Sequence, residues 1–277
     1  SVFLPVSTEF IGRFSIAGNN PLAPDLKAPV RSLALAFVKT VDNGADQQWR
    51  LAMNTPPVMA VSTPEDFYRQ LVALSPNPET GQRDAAKIKA FFAAHPESKD
   101  FNEWRKNYTP TSSFADETYN SINAFYLIDK NGQKQAVRWQ AIPSNSTDDS
   151  LDSPAVGNSV DHVDALQLDL MNKLKTGSVT FDLIFTFASS KDDENNPAVA
   201  WPKDRKTVNA GTLNIMRSQV QSDGACNGIR FDPLILPKGT EPTLDPILNA
   251  RSAAYAESYR RRARENFLSQ FTAGEKK

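Results

Sequence analysis

The sequence predicts an α+β domain whose antiparallel strands close into a barrel flanked by helices. Two groups of short apolar strands point to it, one ending at Asn54 and one beginning at Ser121, with helical periodicity between them and again at the C-terminal end. A hairpin with an Asn-Gly turn fixes antiparallel pairing in the second group. Closure would then remove the edge strands that so much β structure otherwise exposes.

Along the chain, Gly12 to Ala17, Ser32 to Val38 and Trp49 to Asn54 read as strands separated by Gly, Asn and Pro clusters. Thr63-Pro64-Glu65-Asp66 is a helix start, and Phe67 to Leu74 and Asp84 to Ala94 follow with helical spacing. Asn102 to Lys106 adds a further turn. Asn123 to Ile128, Asp129-Lys130-Asn131-Gly132 and Gln135 to Ile142 form the hairpin, because Asn-Gly supplies the positive φ of a tight turn. Residues 143 to 159 are a polar loop, and Val160 to Lys175 is a helix with Val163, Leu166, Leu170, Met171 and Leu174 on one side. Val179 to Phe187 alternates as a half-buried strand. After a polar loop from Ser189 to Pro197, strands are expected near Gly211 to Arg217 and Asn227 to Phe231, then a last helix from about Pro246 to Phe271.

The chain has 277 residues without internal repeats or a distinctive linker, so it is expected to be a single domain. Its 31 basic and 32 acidic residues nearly cancel, which leaves no global field to draw in nucleic acid. No apolar run approaches the length of a membrane span, and no signal-peptide pattern is visible. A single Cys226 excludes an internal disulfide and says nothing of compartment. The glycosylation-type triplets at Asn107 and Asn145 carry no weight. With two histidines, a Ser/His/Asp triad is improbable.

The most informative stretch lies near the C-terminus: Phe231-Asp232-Pro233, Gly239-Thr240-Glu241-Pro242, then Asp245 through Arg251 to Tyr255. Arg251 and Tyr255 stand four residues apart in an Ala-rich helical segment, which puts guanidinium and phenol on one face. A guanidinium beside a phenol favours its ionised form, and a phenolate is a hard ligand for ferric iron. Such a pair is also common on solvated helix faces.

The order of these motifs resembles the proximal haem segment of catalases, in particular the short catalase-related peroxidases. Other segments match in the same order: Arg13-Phe14-Ser15 with Ala17-Gly18, Arg31 to Phe37, Trp49 to Asn54 with Thr55-Pro56-Pro57-Val58, Asn123 to Gln140, and Trp201-Pro202 with Val208 to Leu213. The resemblance spans about residues 10 to 262. It implies an eight-stranded antiparallel barrel with haem b held between barrel and last helix. Tyr255 would ligate the ferric iron, Arg251 would hold it as phenolate, Arg13 and Arg262 would meet the propionates, Phe67 would lie over the haem, and Asn54 would orient peroxide. Met59 stands where the family has Phe. Arg260, Arg261 and Arg264 are left to solvent.

One departure tempers this. The family carries its distal catalytic His upstream of the Arg-Phe-Ser strand, in a segment reading roughly His-Ala-Lys-Gly, which is not in this sequence. His95 and His162 do not replace it: they read as a helix C-terminal residue and a surface residue at a helix start. Either the sequence is a fragment or the distal base is lost, and in the second case the barrel would lack part of its first strand. Three readings follow: a haem peroxidase using hydrogen peroxide or a small organic hydroperoxide and an electron donor, a non-catalytic haem-binding protein on that scaffold, or a barrel carrying an apolar ligand. The resemblance further implies a bacterial periplasm over cytoplasm and a possible homo-oligomer.

Overall fold

The computed structural model describes residues 7–18, 20, 22–40, 46–144, 163–221 and 224–274. Strands β1 (Phe10–Ile16), β2 (Arg31–Thr40) and β3 (Asp46–Asn54) form an antiparallel meander, with Gly12 opposite Leu35 and Leu35 opposite Leu51. Period-2 alternation divides β2 cleanly. Leu33 and Leu35 are fully buried inside the sheet, while Ser32, Ala34 and Ala36 form a small-residue outer face.

Three helices follow, α1 (Pro64–Leu74), α2 (Ala85–Ala94) and α3 (Lys99–Asn107). Their starts were legible. Thr63 Oγ1 accepts from the Asp66 amide at 3.1 Å with Pro64 at the first position, and Asp84 Oδ1 accepts from Ala86 and Lys87 at 2.9 and 3.1 Å.

Strands β4 (Tyr119–Asn120) and β5 (Phe125–Ile128) both run along β6 (Lys134–Pro143), with Tyr119 opposite Ala141 and Phe125 opposite Val137. They are one strand broken by a γ-turn. The Asn123 amide donates to the Ser121 carbonyl at 2.7 Å around Ile122, whose φ is +64°, a left-handed conformation that a β-branched side chain rarely adopts. The hairpin turn is also wider than Asn-Gly suggests. Only Gly132 has positive φ, +81°, and Asp129 Oδ1 organises the loop by accepting from the amides of Asn131 and Gln133, each at 2.8 Å.

The remaining elements are α4 (Ala165–Thr176), β7 (Val179–Phe187), β8 (Thr207–Ile215), β9 (Thr240–Pro242) and α5 (Pro246–Gly274). The loop expected over 143–159, the first residues of the helix expected from Val160, and His162 largely lie outside the described residues. The strand expected over Asn227 to Phe231 does not form; a 3-10 turn at Ala225–Gly228 takes its place.

All nine strands belong to one antiparallel sheet, ordered β1-β2-β3-β4-β6-β5-β9, with β7 on the other side of β6 and β8 beyond it. The sheet curls on itself: Phe14 of β1 lies 6.4 Å from Phe181 of β7, and Trp49 of β3 lies 6.4 Å from Phe185 of β7, centroid to centroid. The expected eight-stranded closure takes the form of a curled nine-stranded sheet with no ladder between β1 and β8 among the described residues. Trp139, 1% exposed and stacked on Phe125 at 4.5 Å, anchors the interior as a packing residue. No helix among the described residues is long and apolar enough to cross a membrane.

Candidate functional site

The first turns of α5 face the outer side of β1, β2 and β3, and a cleft runs between them. Its lining is Arg13, Ser15, Ser32, Ala34, Ala52, Met53, Asn54, Arg251 and Tyr255, around a volume of about 70 Å³ that is open on one side. Four of the six predicted site residues therefore meet: Arg13, Asn54, Arg251 and Tyr255. Ala34 pairs with Ala52, so the strands present a small-residue floor to the cleft.

Arg251 is the hub. Its Nη2 donates to the Tyr255 phenol oxygen at 3.2 Å and its Nη1 to Asn123 Oδ1 at 2.7 Å. Asn123 Nδ2 in turn donates to Asp245 Oδ2 at 2.6 Å. The amide thus presents oxygen to a cation and nitrogen to an anion, which fixes its orientation. Asp245 Oδ1 caps the start of α5 by accepting from the Ile247 and Leu248 amides at 2.9 and 3.1 Å. Burial pushes the Asp245 carboxyl up, against the hydrogen bond from Asn123, the two amides and the charge of Arg138.

On the opposite wall, the Ser32 hydroxyl donates to Asn54 Oδ1 at 2.6 Å. That contact occupies the amide oxygen and leaves Nδ2 to donate to a ligand.

At one end of the cleft two guanidiniums lie together. Arg13 rests on the Phe231 ring, 5.2 Å from its centroid, and burial first, then the charge of Arg262, holds its pKa below the ordinary value. Arg262, on the same α5 face as Tyr255, reaches the Ile229 carbonyl at 3.5 Å. The Nε of each is buried without a hydrogen-bond partner. Two partly covered guanidiniums, each with an Nε donor that no protein atom accepts from, make a place for an anion. The Phe-Asp-Pro motif holds this corner: buried Asp232 accepts from Arg230 and from Ser252 of α5, each at 2.5 Å.

Phe67 does not line the cleft. It sits on α1 with 37% of its surface exposed, beside exposed Tyr68, Leu71 and Val72. Met59 and His95 are also outside it. Arg260 and Arg261 pair with Glu257 in solvent, and Arg264 is exposed, as expected.

Sequence reasoning passed over Ser32, Asn123 and the capping role of Asp245. The alternation of small and large residues in β2 was the signal for the first, and an Asp followed by Pro at a helix start was the signal for the last; nothing local marked Asn123.

A larger trough, about 2100 Å³, opens at the seam between β1 and β8. Its lining is chiefly the apolar inner face of the sheet, with Phe14, Phe37, Trp49 and Phe185. We assign the site to the smaller cleft, because the converging polar and charged side chains are there.

The family model for catalase matches residues 3–271. A catalase-related peroxidase of Synechococcus elongatus is 36% identical over 95% of this chain and 76% of its own length. A catalase-related peroxidase of Mycolicibacterium paratuberculosis is 28% identical over 90% of this chain and 76% of its own. Among solved structures, a bacterial catalase superposes with a TM-score of 0.75 at 21% identity, covering 92% of this chain and 50% of the other. A fungal catalase gives 0.76 at 18% identity, covering 92% and 52%. The chain thus spans about three quarters of the first two relatives and half of these two catalases, and it belongs to the catalase family.

Proposed function

We propose that this protein is a haem-dependent peroxidase that reduces hydrogen peroxide or a small organic hydroperoxide at the cleft between the sheet and α5. Family membership supports an oxidoreductase acting on peroxide. The observation that carries the haem reading is the Arg251-braced phenol of Tyr255 in the same cleft as Asn54, with Arg13 and Arg262 unmatched at one end.

The donor set fits ferric haem b: an oxygen ligand, a small-residue floor, and two guanidiniums for the carboxylates. The open cleft that these residues line, about 70 Å³, is smaller than a porphyrin, so the ring would reach past them. When bound, the haem supplies a Lewis-acidic ferric centre and the redox equivalents for peroxide reduction.

The chain's own residues do the rest. Tyr255 offers a phenol oxygen, and Arg251 Nη2 holds that oxygen in place by donating to it at 3.2 Å. Asn54, fixed by Ser32, donates from Nδ2 to the peroxide and orients it without competing for its proton. Moving that proton needs a base, and the described cleft lining contains neither imidazole nor carboxylate. A second reading, a haem-binding protein on the same scaffold that does not turn over peroxide by itself, stands beside it. An electron donor, a homo-oligomer and a periplasmic location belong to the proposal on the strength of resemblance.

Two measurements test it. Haem titration followed by absorption should give tight one-to-one binding, and Tyr255→Phe should abolish it or change the ligation spectrum; an unchanged spectrum defeats the assignment. Peroxide turnover per bound haem is then compared between this 277-residue chain and a longer one carrying an upstream His-Ala-Lys-Gly segment. General acid–base assistance is worth about 10² to 10⁴ in rate, so the longer chain should be faster by that order, and equal rapid turnover would overturn the need for a distal His.

A further inference from the structure

Away from the cleft, the start of α1 meets the end of α2 through three side chains: Asp66, His95 and Glu97. One ligand atom from each, a ring nitrogen and two carboxylate oxygens, lies within 4.8 Å of the other two. We propose that these residues bind one divalent transition-metal ion, with zinc the best chemical match, and that the ion ties α1 to α2. The inference is independent of the haem reading.

The set is more than a patch of surface acids. The His95 ring is seated against Phe91, centroids 4.3 Å apart, at the C-terminal cap of α2, so the imidazole is held before any ion arrives. His95 Nδ1 stands 2.8 Å from Glu97 Oε1 across the turn that follows α2. Two ligands about 2.1 Å from a metal stand about 3.0 to 3.4 Å apart at angles between square and tetrahedral, so this pair needs only a small opening. Asp66 completes the set from a different helix. All three side chains are partly covered, at 20%, 15% and 29% exposure for Asp66, His95 and Glu97. That leaves one open side for water ligands.

The chemistry selects the ion. An imidazole nitrogen disfavours calcium and magnesium, which take oxygen cages. Without thiolate, soft ions lose their advantage, and a d¹⁰ ion with no preferred geometry suits an irregular mixed N/O set.

Three contacts compete: His95 Nδ1 and Glu97 Oε1 share a hydrogen bond at 2.8 Å that the ion must replace, Arg69 Nη1 lies 2.7 Å from Asp66 Oδ1 with its side chain 69% exposed, and Thr63 Oγ1 donates to Asp66 Oδ2 at 2.8 Å. Arg69 is the cation that an incoming metal displaces.

The test is equilibrium dialysis of the full chain against micromolar free zinc, with cobalt as a spectroscopic stand-in. The expected result is one zinc per chain, a cobalt ligand-field spectrum showing nitrogen coordination, and loss of both in His95→Ala. Glu97→Gln, a milder surface change, should weaken zinc by at least about tenfold, the scale on which even supporting residues act. Arg69→Ala should tighten it several-fold by removing the rival cation, an outcome that misfolding cannot mimic. His162→Ala should bind like the parent. Zinc retained in His95→Ala, no zinc in the parent chain, or no tightening in Arg69→Ala each overturns the site.

Discussion

Asn123 holds Arg251 through a 2.7 Å hydrogen bond although 128 residues separate them, and it does so from the residue that follows a left-handed Ile122. The backbone conformation of one turn therefore sets the position of the guanidinium that braces Tyr255.

Breaking that chain should weaken the cofactor site in a graded way. Arg251→Leu removes the bond to the Tyr255 oxygen and leaves the buried Asn123 oxygen unpaired. Haem affinity is expected to fall about tenfold, equivalent to about 1.4 kcal/mol, with Asn123→Ala showing a smaller loss in the same direction. Absorption titrations on both variants check this; haem retention equal to the parent in Arg251→Leu would make Arg251 purely structural.

Ile122 makes a sharper prediction about stability. Elsewhere an Ala is more stable than a Gly by about 0.5 to 1 kcal/mol. At a φ of +64° the order should reverse, because Gly reaches this conformation without steric cost. Urea unfolding of Ile122→Gly and Ile122→Ala is expected to show Gly at least as stable as Ala, with both below the parent because Ile122 is 5% exposed and its burial is lost. A markedly less stable Gly variant would refute the strained turn.

The two unmatched guanidiniums predict which part of the ligand they meet. Arg13→Gln should lower affinity for haem with free carboxylates by about tenfold, the scale of one charge-assisted bond, yet leave binding of the dimethyl ester unchanged. Comparing the two ligands in parent and variant measures it. An equal loss for both would place the anion elsewhere.

A pH prediction comes from the loop after β7. Arg205 grips Asp192 with Nε to Oδ2 at 2.6 Å and Nη2 to Oδ1 at 2.8 Å, and these bonds hold the carboxyl down at about 2, from an ordinary 3.8. The unfolded chain binds this proton more readily, so the pair's contribution is complete above about pH 4 and is lost as pH falls to about 2. The pair sits at the surface, where solvent screening keeps its contribution small. Unfolding of Arg205→Gln and the parent should differ at neutral pH and converge near pH 2.

By itself the sequence determined the local elements and one face of the site. Thr63 and Asp84 mark helix starts, alternation marks β7 from Val179 to Phe187, and the spacing of Arg251, Tyr255 and Arg262 puts them on one side of α5, because periods of two and 3.6 residues are properties of a short stretch of chain. The ordered motifs extended this to Arg13 and Asn54, which the cleft brings together with Tyr255.

Tertiary structure decided the rest. Asn123 gains its role only because the curled sheet carries it against α5, and Asp245 is both cap and partner because burial leaves its carboxylate no water to bond. The break between β4 and β5 at Ile122 runs against its β propensity and carries the amide of Asn123 between Arg251 and Asp245, partners that no local stretch of sequence reveals. Phe67 shows the converse: helical periodicity placed it on α1 correctly, but how α1 sits against the sheet is a matter of long-range packing, and that packing keeps Phe67 out of the cleft.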